Sequence, residues 1–236
     1  MTHSQEQLKQ QAAEYTIDHY VESGMVLGLG SGSTAFLAIR HLGRKVQSGA
    51  LTGISGVPAS ERTAAVAREA GVPLTTLDDH PRLDLTFDGA DEVDPDLNLI
   101  KGGGGALLRE KVIAQASDAE TIMVDKSKLA PVVGFSCAVP VEVIDFGLNA
   151  HRAFLQSLGG KPVLRQNDDG TPFLTDHGNL ILDTNFGQIF HPAALAAKIK
   201  AQAGIVEHGL FIGLATRVVV AMSHGIEILG PESGKS

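Results

Sequence analysis

The chain has 236 residues, 43% of them hydrophobic and 19% charged, enough for one large α/β domain or two smaller ones with a substantial core. A formal net charge of −8 argues against a nucleic-acid surface, which needs clustered Lys and Arg. The single cysteine, Cys137, excludes an internal disulfide framework and cannot alone build a zinc site, and no apolar run reaches membrane-spanning length. The polar start of the chain lacks a signal-peptide core, so a cytoplasmic enzyme or binding protein is expected.

The pattern begins with a helix over about 4–22, where Ser4 can cap and Gln7 holds the capping-box position. "GMVLGLG" (24–30) reads as a buried strand ending in glycines, and "STAFLAIRHLGRKV" (33–46) as an amphipathic helix. "LTGISGV" is another strand, and the helix after it starts at a Ser60 cap and stops at Gly71. "LDLTF" (83–87) is a strand that runs into the acidic turn "DGADEVD" (88–94). "GALLREKVIAQAS" (105–117) is a helix and "ETIMVD" (120–125) a strand. This alternation implies a mainly parallel sheet covered on both faces.

From about 138 the order changes to strand, helix, strand, strand, helix, strand, with one extra short strand at "TPFLT" (171–175). That is the βαββαβ order of a ferredoxin-like unit. Strands in the tail "ATRVVVAMSHGIEILG" return to the first sheet. The expectation is an α/β protein: a Rossmann-like domain over 1–135 and 210–236, with a smaller ferredoxin-like α+β domain inserted at 136–209.

Open α/β sheets bind ligands beyond the carboxyl ends of their strands, and three such ends are loaded with small or charged residues. "GLGSGSTA" (28–35) offers backbone N–H groups, three hydroxyls and a helix N-terminus, the parts of a phosphate cradle. A dinucleotide fingerprint from Gly28 requires glycine at 33, where Ser33 stands, and a Walker A loop requires a lysine that is missing. One small monophosphate is the better match; a capped tight turn is the plainer alternative. "DGADEVD" holds Asp88, Asp91, Glu92 and Asp94. A calcium loop beginning at Asp88 fails at Ala90 and at Leu99, which fill its third and twelfth positions. Acid/base chemistry or hydroxyl recognition by Asp88 and Asp91 stands against a merely solvated acidic turn. The third end is "KGGGGALLRE" (101–110): Lys101 can face an anion, four glycines let a ligand approach main-chain N–H groups, and Glu110 follows on a helix. From spacing alone, Glu110 and Lys111 serve equally well as exposed helix charges. The nine histidines include no His-x-x-x-His pair, so no metal cluster is expected, and Cys137 in "VVGFSCAVPV" is expected to be buried as a small hydrophobe.

Taken together, the loop "GLGSGST", the turn "DGADE" and the segment "KGGGGALLREK" resemble ribose-5-phosphate isomerase, type A, as do "VDKSK" (124–128), "PVEVIDFG" (140–147) and "GNLILD" (178–183). The resemblance spans nearly the whole chain. It implies interconversion of D-ribose 5-phosphate and D-ribulose 5-phosphate through an enediolate, without metal or organic cofactor, in the non-oxidative branch of the pentose phosphate pathway. By matched position it implies Glu110 as base, Asp88 in ring opening, Asp91 as hydroxyl partner and Lys101 as stabiliser of the enediolate. It also implies substrate contacts along Ser31, Gly32, Ser33 and Thr34, along Asp88, Gly89, Ala90 and Asp91, along Lys101, Gly102, Gly103 and Gly104, and at Lys128. It implies a homodimer or higher homo-oligomer. Gly105 stands where some members of that family carry alanine, and the expectation is a more flexible loop. Lys9 is a further candidate for the phosphate, and Ser60 is given no role beyond its cap. The rival reading is a non-catalytic sugar-phosphate sensor, which would keep the phosphate loop and have no need of Glu110.

Overall fold

The structure, a computed structural model, describes residues 4–230. In chain order its first elements are α1 (Gln5–Tyr20), β1 (Val26–Leu29), α2 (Ser33–Gln47), β2 (Ser55–Pro58), α3 (Glu61–Glu69) and β3 (Leu85–Asp88). There follow β4 (Glu92–Val93), β5 (Leu99–Ile100), α4 (Leu107–Gln115), β6 (Glu120–Asp125) and a 3-10 turn at Lys126–Lys128. The remainder is β7 (Val139–Val143), α5 (Leu148–Ser157), β8 (Lys161–Leu164), β9 (Leu180–Asn185), α6 (Pro192–Lys200), β10 (Ile205–His208), β11 (Leu210–Phe211), β12 (Arg217–Met222) and β13 (Gly225–Leu229).

The helix starts follow the sequence signals. Ser4 Oγ accepts the Gln7 N–H at 3.2 Å while the Gln7 side chain accepts the Ser4 N–H at 2.8 Å, a complete capping box. Ser60 Oγ accepts the Thr63 N–H at 2.9 Å and caps α3, which gives way to Gly71 at φ +74°.

The chain forms two compact units. The first takes the chain up to Ala90, Arg109–Lys128 and the stretch from Gly213. Its six-stranded sheet has the order β13-β12-β6-β3-β1-β2, parallel except for β13 against β12. From β1 the chain steps outward to β2, then back across to β3 on the other side of β1. That reversal is a topological switch point, where the strands' carboxyl ends leave a crevice. Leu27, Leu29, Ile39, Leu42 and Phe87 are fully buried in the core against it.

The second unit takes Asp91–Leu108 and Leu129–Ile212. Its four-stranded sheet, β10-β7-β9-β8, is antiparallel throughout and carries α5 and α6 in the βαββαβ order. The strand expected at 171–175 does not form; only single bridges occur, at Gln166–Pro172 and Leu174–Leu180. Pro172 has no N–H to give a ladder, and Asp169 draws the N–H and hydroxyl of Thr171 into a tight turn instead. A small sheet, β11-β5-β4, comes from strands of two residues each, too short to leave a period in the sequence.

Candidate active site

Within the first unit, the loop after β1 and the end of β3 meet at the switch point. Asp88 is the last residue of β3 and is 1% exposed. Its Oδ1 accepts the N–H of Ser31 at 3.1 Å and of Gly89 at 2.7 Å. A Cβ at position 30 would run into the Asp88 carboxyl, so the glycine lets the loop lie directly over it.

Gly32, at φ +108°, begins α2 with no side-chain cap on the helix amides. The first N–H groups of a helix have no partner inside it, and the helix dipole adds positive potential there. Lys9 reaches in from α1, its Nζ donating to Ser33 Oγ at 3.1 Å. Serine hydroxyls, bare amides and an ammonium are thus gathered on one loop, which suits an anion better than a neutral group. Thr34 is buried on the first turn and Ser33 is exposed.

A chain of hydroxyls supports this loop from below. Ser31 Oγ lies 3.1 Å from Ser60 Oγ, which lies 2.8 Å from Thr63 Oγ1, and Thr63 in turn donates to Gly30 O at 3.1 Å. Sequence reading credited Ser60 with a cap alone; its second hydrogen bond spans 29 residues and leaves no local signal.

Glu110 lies in the first turn of α4 and is 5% exposed, so it is not one of the solvated helix charges that spacing alone allowed. Lys111 is also buried, and Arg109 pairs with Glu61 of α3 at 2.9 Å. Lys128 closes the 3-10 turn that Asp125 organises by accepting the Ser127 N–H at 2.9 Å. Burial pushes the Asp125 carboxyl up, but hydrogen bonds from Ser127 and Gln5 and the charge of Lys128 outweigh it and hold the group below the ordinary carboxylate range.

Within the second unit, Asp91 and the glycine segment come together: Asp91 Oδ2 accepts the Gly103 N–H at 2.8 Å. Lys101 is buried, its Nζ 5.3 Å from the Phe211 ring centroid and its N–H bonded to Gly209 O at 2.9 Å. Gly103 and Gly104 are exposed, and nothing stands within 4 Å of where a Gly104 side chain would begin. Gly105 does not loosen this loop as expected. It sits at φ +83°, where a Cβ would lie 2.5 Å from the Phe173 ring, and its N–H closes a turn onto Gly102 O at 3.0 Å.

The other acids of the turn are consumed by folding. Glu92, 1% exposed, accepts the N–H groups of Gly134, Phe135 and Ser136 and the Ser136 hydroxyl. Asp94 closes its own turn, accepting the N–H groups of Asp96 at 3.0 Å and Asn98 at 2.9 Å. Cys137, expected to be buried, is partly exposed: it sits in the loop before β7, with Sγ donating to Asp91 O at 3.5 Å. Val133, Val139 and Val141 near it are buried, while Phe135 between them is largely exposed, so the run is not buried throughout. Among the described residues no group of three or more His, Cys, Asp or Glu is arranged to hold a metal ion, and no helix is long and apolar enough to cross a membrane.

Comparison with known proteins bears on what these groups do. The family model described as ribose 5-phosphate isomerase A (phosphoriboisomerase A) matches residues 55–225. A ribose-5-phosphate isomerase A of Chloroflexus aurantiacus is 58% identical over 207 residues, 88% of this chain and 87% of the relative. Among solved structures, a D-ribose-5-phosphate isomerase in complex with phospho-erythronic acid superposes with a TM-score of 0.95 at 36% identity, covering 97% of this chain and 100% of that one. The ribose 5-phosphate isomerase A of Methanocaldococcus jannaschii does so with a TM-score of 0.92 at 37% identity, covering 97% and 100%.

Proposed function

The chain belongs to the ribose 5-phosphate isomerase A family, and from that premise we propose that it interconverts D-ribose 5-phosphate and D-ribulose 5-phosphate with Glu110 as general base. The observation that carries the reading is the arrangement at the switch point. An uncapped helix N-terminus, two serine hydroxyls and Lys9 suit a monophosphate, and the buried Asp88 carboxylate stands directly beneath the same loop. The relative solved with phospho-erythronic acid holds a phosphorylated acid, which supports the substrate class.

In the proposed reaction, Asp88 assists opening of the sugar ring and exposes the C1 carbonyl. Glu110 then takes the proton from C2; the electron pair moves into the C1–C2 bond and onto the carbonyl oxygen, giving an enediolate. The same proton returns to C1, while a hydroxyl proton passes from O2 to O1 and O2 becomes the ketone. Lys101 and the Gly104 N–H stabilise the negative oxygen, a kind of contact that lowers a barrier by about 2.7–4 kcal/mol per donor, while Gly102 and Gly103 line the ligand beside them. Asp91 takes a sugar hydroxyl, Ser31, Gly32, Ser33, Thr34 and Lys9 take the phosphate, and Lys128 is a further anion ligand. The backbone of Gly89 and Ala90 lines the ligand beside Asp88. The reading includes no metal or organic cofactor, a cytoplasmic setting and at least a homodimer, as the family resemblance implies.

The test is conversion of D-ribose 5-phosphate in chelator-treated buffer by the native chain and by Glu110→Gln. Native turnover that falls by about 10³-fold or more in the variant, with substrate still bound, supports reaction and base together. Turnover surviving in the variant moves the base to Asp88 or Asp91. A native chain that binds the sugar phosphate and leaves it unchanged is a sensor.

A further inference from the structure

The glycine turn of the second unit is held by a residue that the sequence motifs do not include. Arg165 follows β8, and its guanidinium divides its donors between two tasks. Nε and Nη2 clamp the Asp183 carboxylate on β9, at 2.9 and 2.5 Å. Nη1 donates to Gly102 O at 2.9 Å and to Gly103 O at 3.1 Å. The Asp183 clamp fixes the plane of the fork, so the two carbonyls are held with little loss of side-chain freedom. Phe173 lies beside the group, its ring centroid 5.6 Å from Arg165 Cζ, and it is the ring against which Gly105 is packed.

A trans peptide carries its C=O and N–H on opposite edges. The Gly102–Gly103 peptide is therefore pinned twice, its oxygen on Arg165 and its N–H on Asp91 Oδ2 at 2.8 Å. The Gly103–Gly104 peptide has its oxygen on Arg165 too, which turns the Gly104 N–H away from the guanidinium. Both carbonyl oxygens of this exposed turn are thus drawn toward a cation and away from any anion bound on the other edge. Four adjacent glycines would otherwise sample many conformations.

We propose that Arg165, held by Asp183, is a positioning residue for the isomerisation: it sets the glycine turn so that the Gly104 N–H faces the substrate, and through the Gly102–Gly103 peptide it orients Asp91. This rests on the isomerase reading above. It gives Arg165 no contact with the reacting atoms.

The experiment measures kcat and KM of the full chain on D-ribose 5-phosphate for the native protein, Arg165→Met, Arg165→Lys, Asp91→Asn and the double variant Arg165→Met/Asp91→Asn, with amide exchange at Gly103 followed by NMR. Arg165→Met is expected to lower kcat by about 10- to 100-fold, the scale of a misplaced catalytic contact. Lysine restores little, since one ammonium cannot span two carbonyls and a carboxylate. The double variant is expected to fall no further than the worse single variant, because both act through one peptide. Exchange at Gly103 speeds up by about tenfold or more in Arg165→Met. Additive losses, native exchange at Gly103, or a lowered Tm with native kcat and KM each overturn the proposal. A native chain without turnover removes the isomerase reading and this role together; an active native chain with an equally active Arg165→Met removes this role alone.

Discussion

Position 30 is closed to any side chain by Asp88: a Cβ there would overlap the carboxyl that the loop covers. The proposed phosphate loop and the proposed ring-opening acid are therefore two sides of one packing contact, and neither can be altered without moving the other. Gly30→Ala is expected to keep the fold and lose about 100-fold in kcat/KM, the scale of a misplaced catalytic group. Steady-state kinetics beside far-UV circular dichroism checks this; native kinetics would mean the loop yields at no cost.

Lys9→Met should raise KM for D-ribose 5-phosphate by about tenfold or more, the worth of one hydrogen bond to a charged group, with kcat changed far less. An unchanged KM would leave the ammonium to Ser33 alone.

Glu92→Gln should cost about 1–3 kcal/mol of stability. The carboxylate accepts from three N–H groups and a hydroxyl, whereas an amide turns its NH₂ against one of them. Denaturant titration reads the loss directly. Because the contact fixes the Gly134–Ser136 loop, that segment should also become the earlier site of proteolytic cutting.

Asp125 gives a pH dependence whose sign follows from its environment. Burial raises it, but the hydrogen bonds from Ser127 and Gln5, with the charge of Lys128, outweigh that and hold its carboxyl below the ordinary carboxylate range in the folded chain. A group with a depressed folded pKa contributes stability above its unfolded pKa, and that stability is lost as pH falls through the folded value. The Tm difference between the native chain and Asp125→Asn should therefore be full near pH 7 and shrink steadily below about pH 4. A difference that grows on acidification would contradict the assignment.

What the sequence made legible was mostly local. Capping at Ser4 and Ser60, the alternation that gives a parallel sheet, and the βαββαβ order all depend on neighbours within a few residues, and each is found in the structure. Contacts across long stretches of chain were not legible. Ser31 with Ser60 and Arg165 with Gly102 join positions 29 and 63 residues apart, and each partner has an adequate local explanation of its own. The acidic turn shows the same limit inside seven residues. Four carboxylates look alike as letters, yet Glu92 and Asp94 are taken up by backbone N–H groups, which only the fold reveals. Spacing left the burial of Glu110 open, and the fold turns that helix charge inward, whereas Cys137, expected to be buried among apolar neighbours, is partly exposed.

The capping box at Ser4 and Gln7 has a thermal consequence. It secures the first turn of α1, and Lys9 rides on the turn immediately after. Helix ends fray as an equilibrium of their own, well before a domain melts. The proposed grip of Lys9 on phosphate thus depends on the first turns of that helix staying wound: on warming, substrate affinity is expected to weaken while the groups proposed for catalysis at the sheet are still in place, so that saturation fails before turnover does.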